Sequence, residues 1–273
     1  MIEINHLWGK VREVNPLVHT ISNLVSANDC ANLLLAVGAS PIMASAIQEM
    51  EDITRISQAT VLNLGTPNDS KYATCTKAGV YANKYAHPVI VDPVGIGASL
   101  YRKEKVTQLL KKVQPTIIRA NVGEVQSLLG SKSQARGVDS FAQSHSDDGQ
   151  SDAVVLAQQL DCVVLMTGKD DFVTNGTHSY LIEGGSSILT KITGTGDMLS
   201  VLCGALSNVT DPLTAALSAS YSWKVIGKLV KESSAGLGQA HRQLFDYASQ
   251  IEQITKIQHT VTIHESGGRK HVN

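Results

Sequence analysis

The segment KITGTGDMLSVLCGAL, Lys191 to Leu206, sets Gly, Thr, Gly and one carboxylate at the mouth of an apolar helical run. A helix N-terminus presents unpaired N–H groups and partial positive charge, which suit a phosphate. A carboxylate stabilises that end too, yet it repels the same phosphate. Asp197 beside an anion site therefore points to chemistry, with the amides of Gly194 to Asp197 facing charge and the carboxylate facing a proton. The competing reading is a plain turn, in which Gly194 and Gly196 give the bend and Asp197 is only an N-terminal helix residue.

Upstream of this segment, short β-rich runs alternate with helical patterns, the signature of parallel βαβ units. The strand candidates are ATVLNLG (59–65), HPVIVDP (87–93), PTIIRAN (115–121) and CVVLMTG (162–168), each closing on Gly, Pro or Asn. Between them lie helical stretches such as AIQEMEDITRISQ and KEKVTQLLKKV, and from Asp197 onward the chain reads as mostly helix. The fold class is thus α/β, a mostly parallel central sheet flanked by helices. Residues 1–265 are expected to form one domain. The polar stretch 131–152 reads as an exposed excursion within it, and the tail ESGGRKHVN as disordered.

Composition narrows the function. Of 273 residues, 42% are hydrophobic and only 4% aromatic, so the core must be built from Leu, Val, Ile and Ala. The formal net charge is -1 without a long basic run, which leaves nucleic-acid and membrane-surface binding without electrostatic support. A charged fraction of 17% favours an oligomer. Cys30, Cys75, Cys162 and Cys203 form no C-x-x-C pair and sit among apolar residues, so buried free thiols are expected. No signal-like core or long apolar span is present, and a cytoplasmic protein is expected.

In open parallel sheets, ligands sit beyond the carboxyl ends of the strands. The residues there are Asp92 in DPVG, Arg119 with Asn121 and Glu124 in RANVGE, Thr167, Gly168 and Lys169 in TGK, and then Gly194 to Asp197. Acids, an Arg and glycines at strand ends form an inventory suited to phosphoryl transfer, where positioning and charge neutralisation do most of the catalysis. Each has a simpler reading. Asp92 can cap the turn before Pro93, Asn121 and Glu124 can form a capping box, Arg119 can be a surface charge, and Met43 can fill the core. Glu124 can alternatively hold Mg²⁺ directly or through water.

The order N-x-x-E, then T-G, then G-T-G-D opening a helix resembles the ribokinase-like kinases. Within them, NPLVHTISNLVSANDCANLLLAVGASPIMA (Asn15 to Ala44), LNLGTPN, PVIVDPVGIGAS, IRANVGEV and KITGTGDML resemble the hydroxyethylthiazole kinase family in order and spacing. The resemblance runs from about Asn15 to about Val209. It implies phosphorylation of 4-methyl-5-(2-hydroxyethyl)thiazole by ATP with Mg²⁺, in thiamine salvage, by a homotrimer with active sites between subunits. It assigns ATP contacts to Arg119 and Thr167, with Gly168 beside them, and thiazole contacts to Met43 and Gly194. Asn23 and Val25 match the pocket side expected from a neighbouring subunit, while Asp92 and Glu124 match acids near metal and phosphates.

One position departs from the family: where many members carry Cys, this chain has Asp197, the usual residue in the wider ribokinase-like group. A carboxylate, with a reference value of about 4, is ionised at pH 7, whereas a Cys near 8.5 is mostly protonated. An Asp can therefore accept a hydroxyl proton without prior activation. The exchange also keeps two other readings open: a pyridoxine- or hydroxymethylpyrimidine-type kinase or nicotinamide-nucleotide hydrate dehydratase, and a non-catalytic ligand-binding relative.

Overall fold

Strands buried on both faces of a parallel sheet are continuous apolar runs, and the four runs quoted above form the sheet's middle. The computed structural model describes residues 3–130, 146–256 and 261–266. Its first third comprises α1 (Ile4–Val14), β1 (Leu17–Ile21), α2 (Ala27–Val37), β2 (Ser40–Ile42), α3 (Met50–Ile56) and β3 (Ala59–Asn63). Then follow α4 (Asp69–Lys84), β4 (Val89–Asp92), α5 (Leu100–Leu110), β5 (Ile117–Asn121), α6 (Val122–Leu128), α7 (Ser146–Leu160) and β6 (Val163–Thr167). The remainder is β7 (Asp171–Thr174), β8 (Ser179–Glu183), α8 (Thr195–Leu206), α9 (Pro212–Ser233), α10 (Leu237–Ser249), α11 (Ile251–Ile254) and β9 (Thr262–Glu265).

The sheet has nine strands in the order β2-β1-β3-β4-β5-β6-β7-β8-β9. Pairing is parallel from β2 through to β6 and antiparallel from β6 to β9. Alternate side chains feed two cores, as the period of two requires. Val61, Ile90, Ile117 and Leu165 face one core with α1, α2 and α8 to α11, whereas Leu62, Val91, Ile118 and Val164 face the other with α3 to α7. All four cysteines are free and buried, as expected from sequence, and burial pushes each thiol up to about 12.

Three expectations need correction. The C-terminal part is helical only as far as α11; β9 then joins the sheet edge beside β8, and Ser266 N donates to Ser179 O at 2.7 Å. Glu265 and Ser266, at the start of the stretch expected to be disordered, are thus ordered, and residues 267–273 lie outside those described. The polar excursion is helix from Ser146 onward; its earlier part, 131–145, also lies outside the described residues. Small residues hide that helix from a search for large apolar ones: Gly149 packs near Val122 and Met166, and Ala153 is fully buried.

Candidate active site

The parallel register lines up the strand ends. Asn63 pairs with Asp92 across β3 and β4, and Asn121 pairs with Thr167 across β5 and β6. Helix α8 starts in front of this row. Its N-cap is Gly194 with φ +84°, and no side chain caps the helix. Glycine is needed at both positions of this turn: a Cβ at Gly194 would lie 2.7 Å from Ser26 Cβ, and one at Gly196 would lie 2.6 Å from Arg119 Cζ. The first-turn amides are thus left for an anion, with the Arg119 guanidinium packed directly against them.

Asp197, in the first turn of α8, is held by three donors. Asn23 Nδ2 reaches Oδ2 at 2.6 Å, Ser26 Oγ donates to the same oxygen in a short contact, and Asn63 Nδ2 reaches Oδ1 at 2.9 Å. The two amides also meet each other, Asn23 Nδ2 to Asn63 Oδ1 at 3.2 Å. Asp197 is therefore fixed by β3 and by the loop after β1, and Oδ1 carries a single side-chain donor among the described residues.

Behind Asp197 lies a second carboxylate. Asp92 is fully buried and accepts from Ser200 Oγ at 2.7 Å and, at 3.4 Å each, from Asn63 Nδ2 and Arg119 Nη1. Burial pushes it up to about 7, with the Arg119 charge opposing and Asp197 adding to the rise. Arg119 also donates through Nη2 to Thr167 Oγ1 at 3.1 Å, while its buried Nε has no partner among the described residues. Arg119 is thus no loose surface charge.

Glu124 forms the capping box: Asn121 Oδ1 accepts from Glu124 N, and Glu124 Oε2 accepts from Asn121 N, both at 2.9 Å. Its other oxygen takes Gly95 N at 2.8 Å, tying the loop after Asp92 to α6. Burial also raises Glu124, with Arg119 opposing. Gly168 spends its amide on Asp171 Oδ1 at 3.0 Å, inside a buried pair of Asp171 with Lys224 at 3.3 Å.

Met43 and Asn23 line a cavity of about 320 Å³ with Thr20, Ser22, Thr66 and Lys71. Asn23, which the resemblance places on a wall from a neighbouring subunit, meets Asp197 of its own chain. Val25 does not turn inward; it is 64% exposed and its neighbour Leu24 90%. The site thus brings together Asp92, Arg119, Thr167, Gly194, Gly196, Asp197 and Asn23, with Glu124 one layer out. Sequence reading missed Asn63, Ser26, Ser200 and Lys71. Asn63 had a signal, since it ends the strand run ATVLN, the same position that drew attention to Asp92. Ser26 and Lys71 had none, being a polar residue in a polar loop and a lysine in the first turn of a polar helix.

Known proteins resemble this chain throughout. The model of the hydroxyethylthiazole kinase family matches residues 8–254. The chain belongs to that family. A hydroxyethylthiazole kinase of Clostridium botulinum is 39% identical over 267 residues, covering 95% of this chain and 96% of the relative. One of Pyrococcus furiosus is 36% identical, covering 94% and 98%. A solved hydroxyethylthiazole kinase structure from Pyrococcus horikoshii superposes with a TM-score of 0.89 at 31% identity, covering 98% of this chain and all of that one. As a member of the hydroxyethylthiazole kinase family, the chain is an enzyme that transfers phosphate to an alcohol. Pyridoxal kinase from Staphylococcus aureus, at 16% identity and a TM-score of 0.60 over 78% of this chain and 87% of that one, shares the ribokinase-like fold. Among the described residues, no helix is long and apolar enough to cross a membrane.

Proposed function

We propose that this chain phosphorylates the hydroxyl of 4-methyl-5-(2-hydroxyethyl)thiazole with ATP, in the cytoplasm, as a salvage step of thiamine biosynthesis. One observation carries the reading: a carboxylate held by three donors stands in the first turn of an uncapped helix, beside an arginine whose Nε has no partner among the described residues. That arrangement offers a proton acceptor and an anion hole side by side, the two groups that phosphoryl transfer to an alcohol requires.

Asp197 takes the proton from the substrate hydroxyl through Oδ1, the oxygen with a single side-chain donor among the described residues. The freed oxygen forms its bond to the γ-phosphorus as the bond from that phosphorus to the β,γ-bridging oxygen breaks, and ADP leaves. The amides opening α8, from Gly194 and Gly196 to Asp197, hold the charge on the moving group. Arg119 and Thr167, with Gly168, lie on the nucleotide side; Met43, Gly194 and Asn23 lie on the thiazole side.

The donor set fits Mg²⁺ bound mainly through phosphates and water. Asp92 is a buried carboxylate whose guanidinium contact is long, at 3.4 Å, so a cation would relieve it. Glu124 has both oxygens on backbone amides and would act through water. Among the described residues no group of three or more acids, His or Cys gathers into a cage. When bound, the ion supplies charge neutralisation on the phosphates.

A homotrimer with sites at the interfaces completes the proposal. The exposed apolar pair Leu24 and Val25 follows Asn23 directly, and burying it on a second copy would wall the cavity. An ADP-release assay with the thiazole alcohol, pyridoxine and a hydroxymethylpyrimidine tests the assignment. Turnover is expected with the thiazole alcohol; turnover with another alcohol alone would overturn it.

A further inference from the structure

Lys71 stands in α4, yet its ammonium works in the site. Nζ donates to Ser22 O at 2.9 Å and to Gly65 O at 2.6 Å. Ser22 immediately precedes Asn23. Gly65 follows β3, and its N–H donates to Asn63 Oδ1 at 2.9 Å. The two carbonyls therefore belong to the loop that carries Asn23 and to the loop that leaves β3 at Asn63, the two residues whose amides hold Asp197. Few other bonds join these loops: Asn23 to Asn63 at 3.2 Å and Leu24 N to Thr66 Oγ1 at 3.3 Å, both longer than either lysine bond. An ionised donor makes shorter and stronger hydrogen bonds than a neutral one, and part-burial strengthens them further.

We propose that Lys71 is a positioning residue for phosphoryl transfer: by clamping the carbonyls of Ser22 and Gly65, its ammonium keeps the amides of Asn23 and Asn63 on the Asp197 carboxylate. The inference rests on the reading of Asp197 as the base. Lys71 lines the same cavity as Met43 and Asn23, so the clamp and the substrate space form one construction.

The test is a kinetic double-mutant cycle, with Lys71→Met, Asp197→Asn and both together. Lys71→Met keeps the apolar stem and removes the donors. It should lower kcat about 10-fold while KM for ATP stays within about twofold, because the clamp acts on the base and not on the nucleotide. In the Asp197→Asn background the same change should cost less than about twofold, since the group it positions is gone. Rescue is the second arm. Lys71→Cys alkylated with 2-bromoethylamine restores an ammonium on a chain of the same length, and the native cysteines are buried. It should recover most of the lost kcat; failure to recover would overturn the clamp. If Lys71→Met does not fold, Lys71→Gln, which keeps two N–H donors but loses the charge and one atom of length, carries the same cycle. Equal losses in both backgrounds would overturn the proposal and leave the base assignment standing. Near-native turnover of Asp197→Asn by itself would overturn the base assignment instead.

Discussion

Asn23 Nδ2 donates to Asp197 Oδ2 at 2.6 Å, joining the loop after the first strand to the first turn of α8. Hydrogen bonds to a charged acceptor are worth about 1.5–3 kcal/mol each, so the bond fixes where the carboxylate points. Asn23→Ala should therefore lower kcat by roughly 10-fold or more, with KM for ATP little changed. Steady-state kinetics checks this, and an unchanged kcat would show that the other two donors suffice.

Glu124→Gln should lower thermal stability, because an amide nitrogen replaces one acceptor facing the N–H of Gly95 or of Asn121. A lost cap costs about 0.5–2 kcal/mol. The same variant should need more Mg²⁺ for half-maximal activity if Glu124 also acts on the metal through water. A melting curve beside a Mg²⁺ titration separates the two effects; a lower Tm with an unmoved Mg²⁺ curve would make Glu124 a cap alone.

Asp92 sits at about 7 in the folded protein, whereas an unfolded chain holds an Asp near about 3.9. The folded state therefore keeps this proton longer. The group's contribution to stability is full below pH about 4 and is lost as pH rises through about 7. Asp92→Asn should make Tm fall less steeply across that window. Superimposable slopes for the two proteins would contradict the raised value.

Shared sites predict complementation. Val25→Arg should block the wall offered to a neighbouring copy, and Asp197→Asn should remove the base. Refolded together in equal amounts, the two inactive proteins should yield intact pairings at roughly a quarter of the sites. A mixture that assembles fully and stays inactive would rule out walls supplied by neighbours, without touching the kinase assignment.

The central sheet was legible because β3 to β6 are apolar runs ended by turn residues. β1 was hidden by His19 and Thr20, which interrupt its apolar pattern although both are buried, and β2 by its three-residue length. The antiparallel edge was not separable from its surroundings, since β9 is mostly exposed and carries no periodicity to read. At the site, residues with an unusual chemistry for their local setting stood out: Asp197 after glycines, Asp92 before a proline, Arg119 inside a strand. Ser26 and Lys71 act by converging on the site from a loop and a helix far apart in sequence, and convergence leaves no mark in any one segment. Asn23 was found, but through resemblance, and placed on a neighbour's wall; only the fold shows that it reaches Asp197 of its own chain.

Phosphoryl transfer by the proposed route depends on Asp197. Its carboxylate is replaced by an amide in Asp197→Asn, and single-turnover phosphorylation of the thiazole alcohol is followed with saturating ATP and Mg²⁺. Loss of the proton acceptor should slow the phosphoryl-transfer step by roughly 10²-fold or more, with binding of the thiazole alcohol retained. Transfer at the native rate by the Asn variant would contradict the account, because the proton would then be leaving by another route.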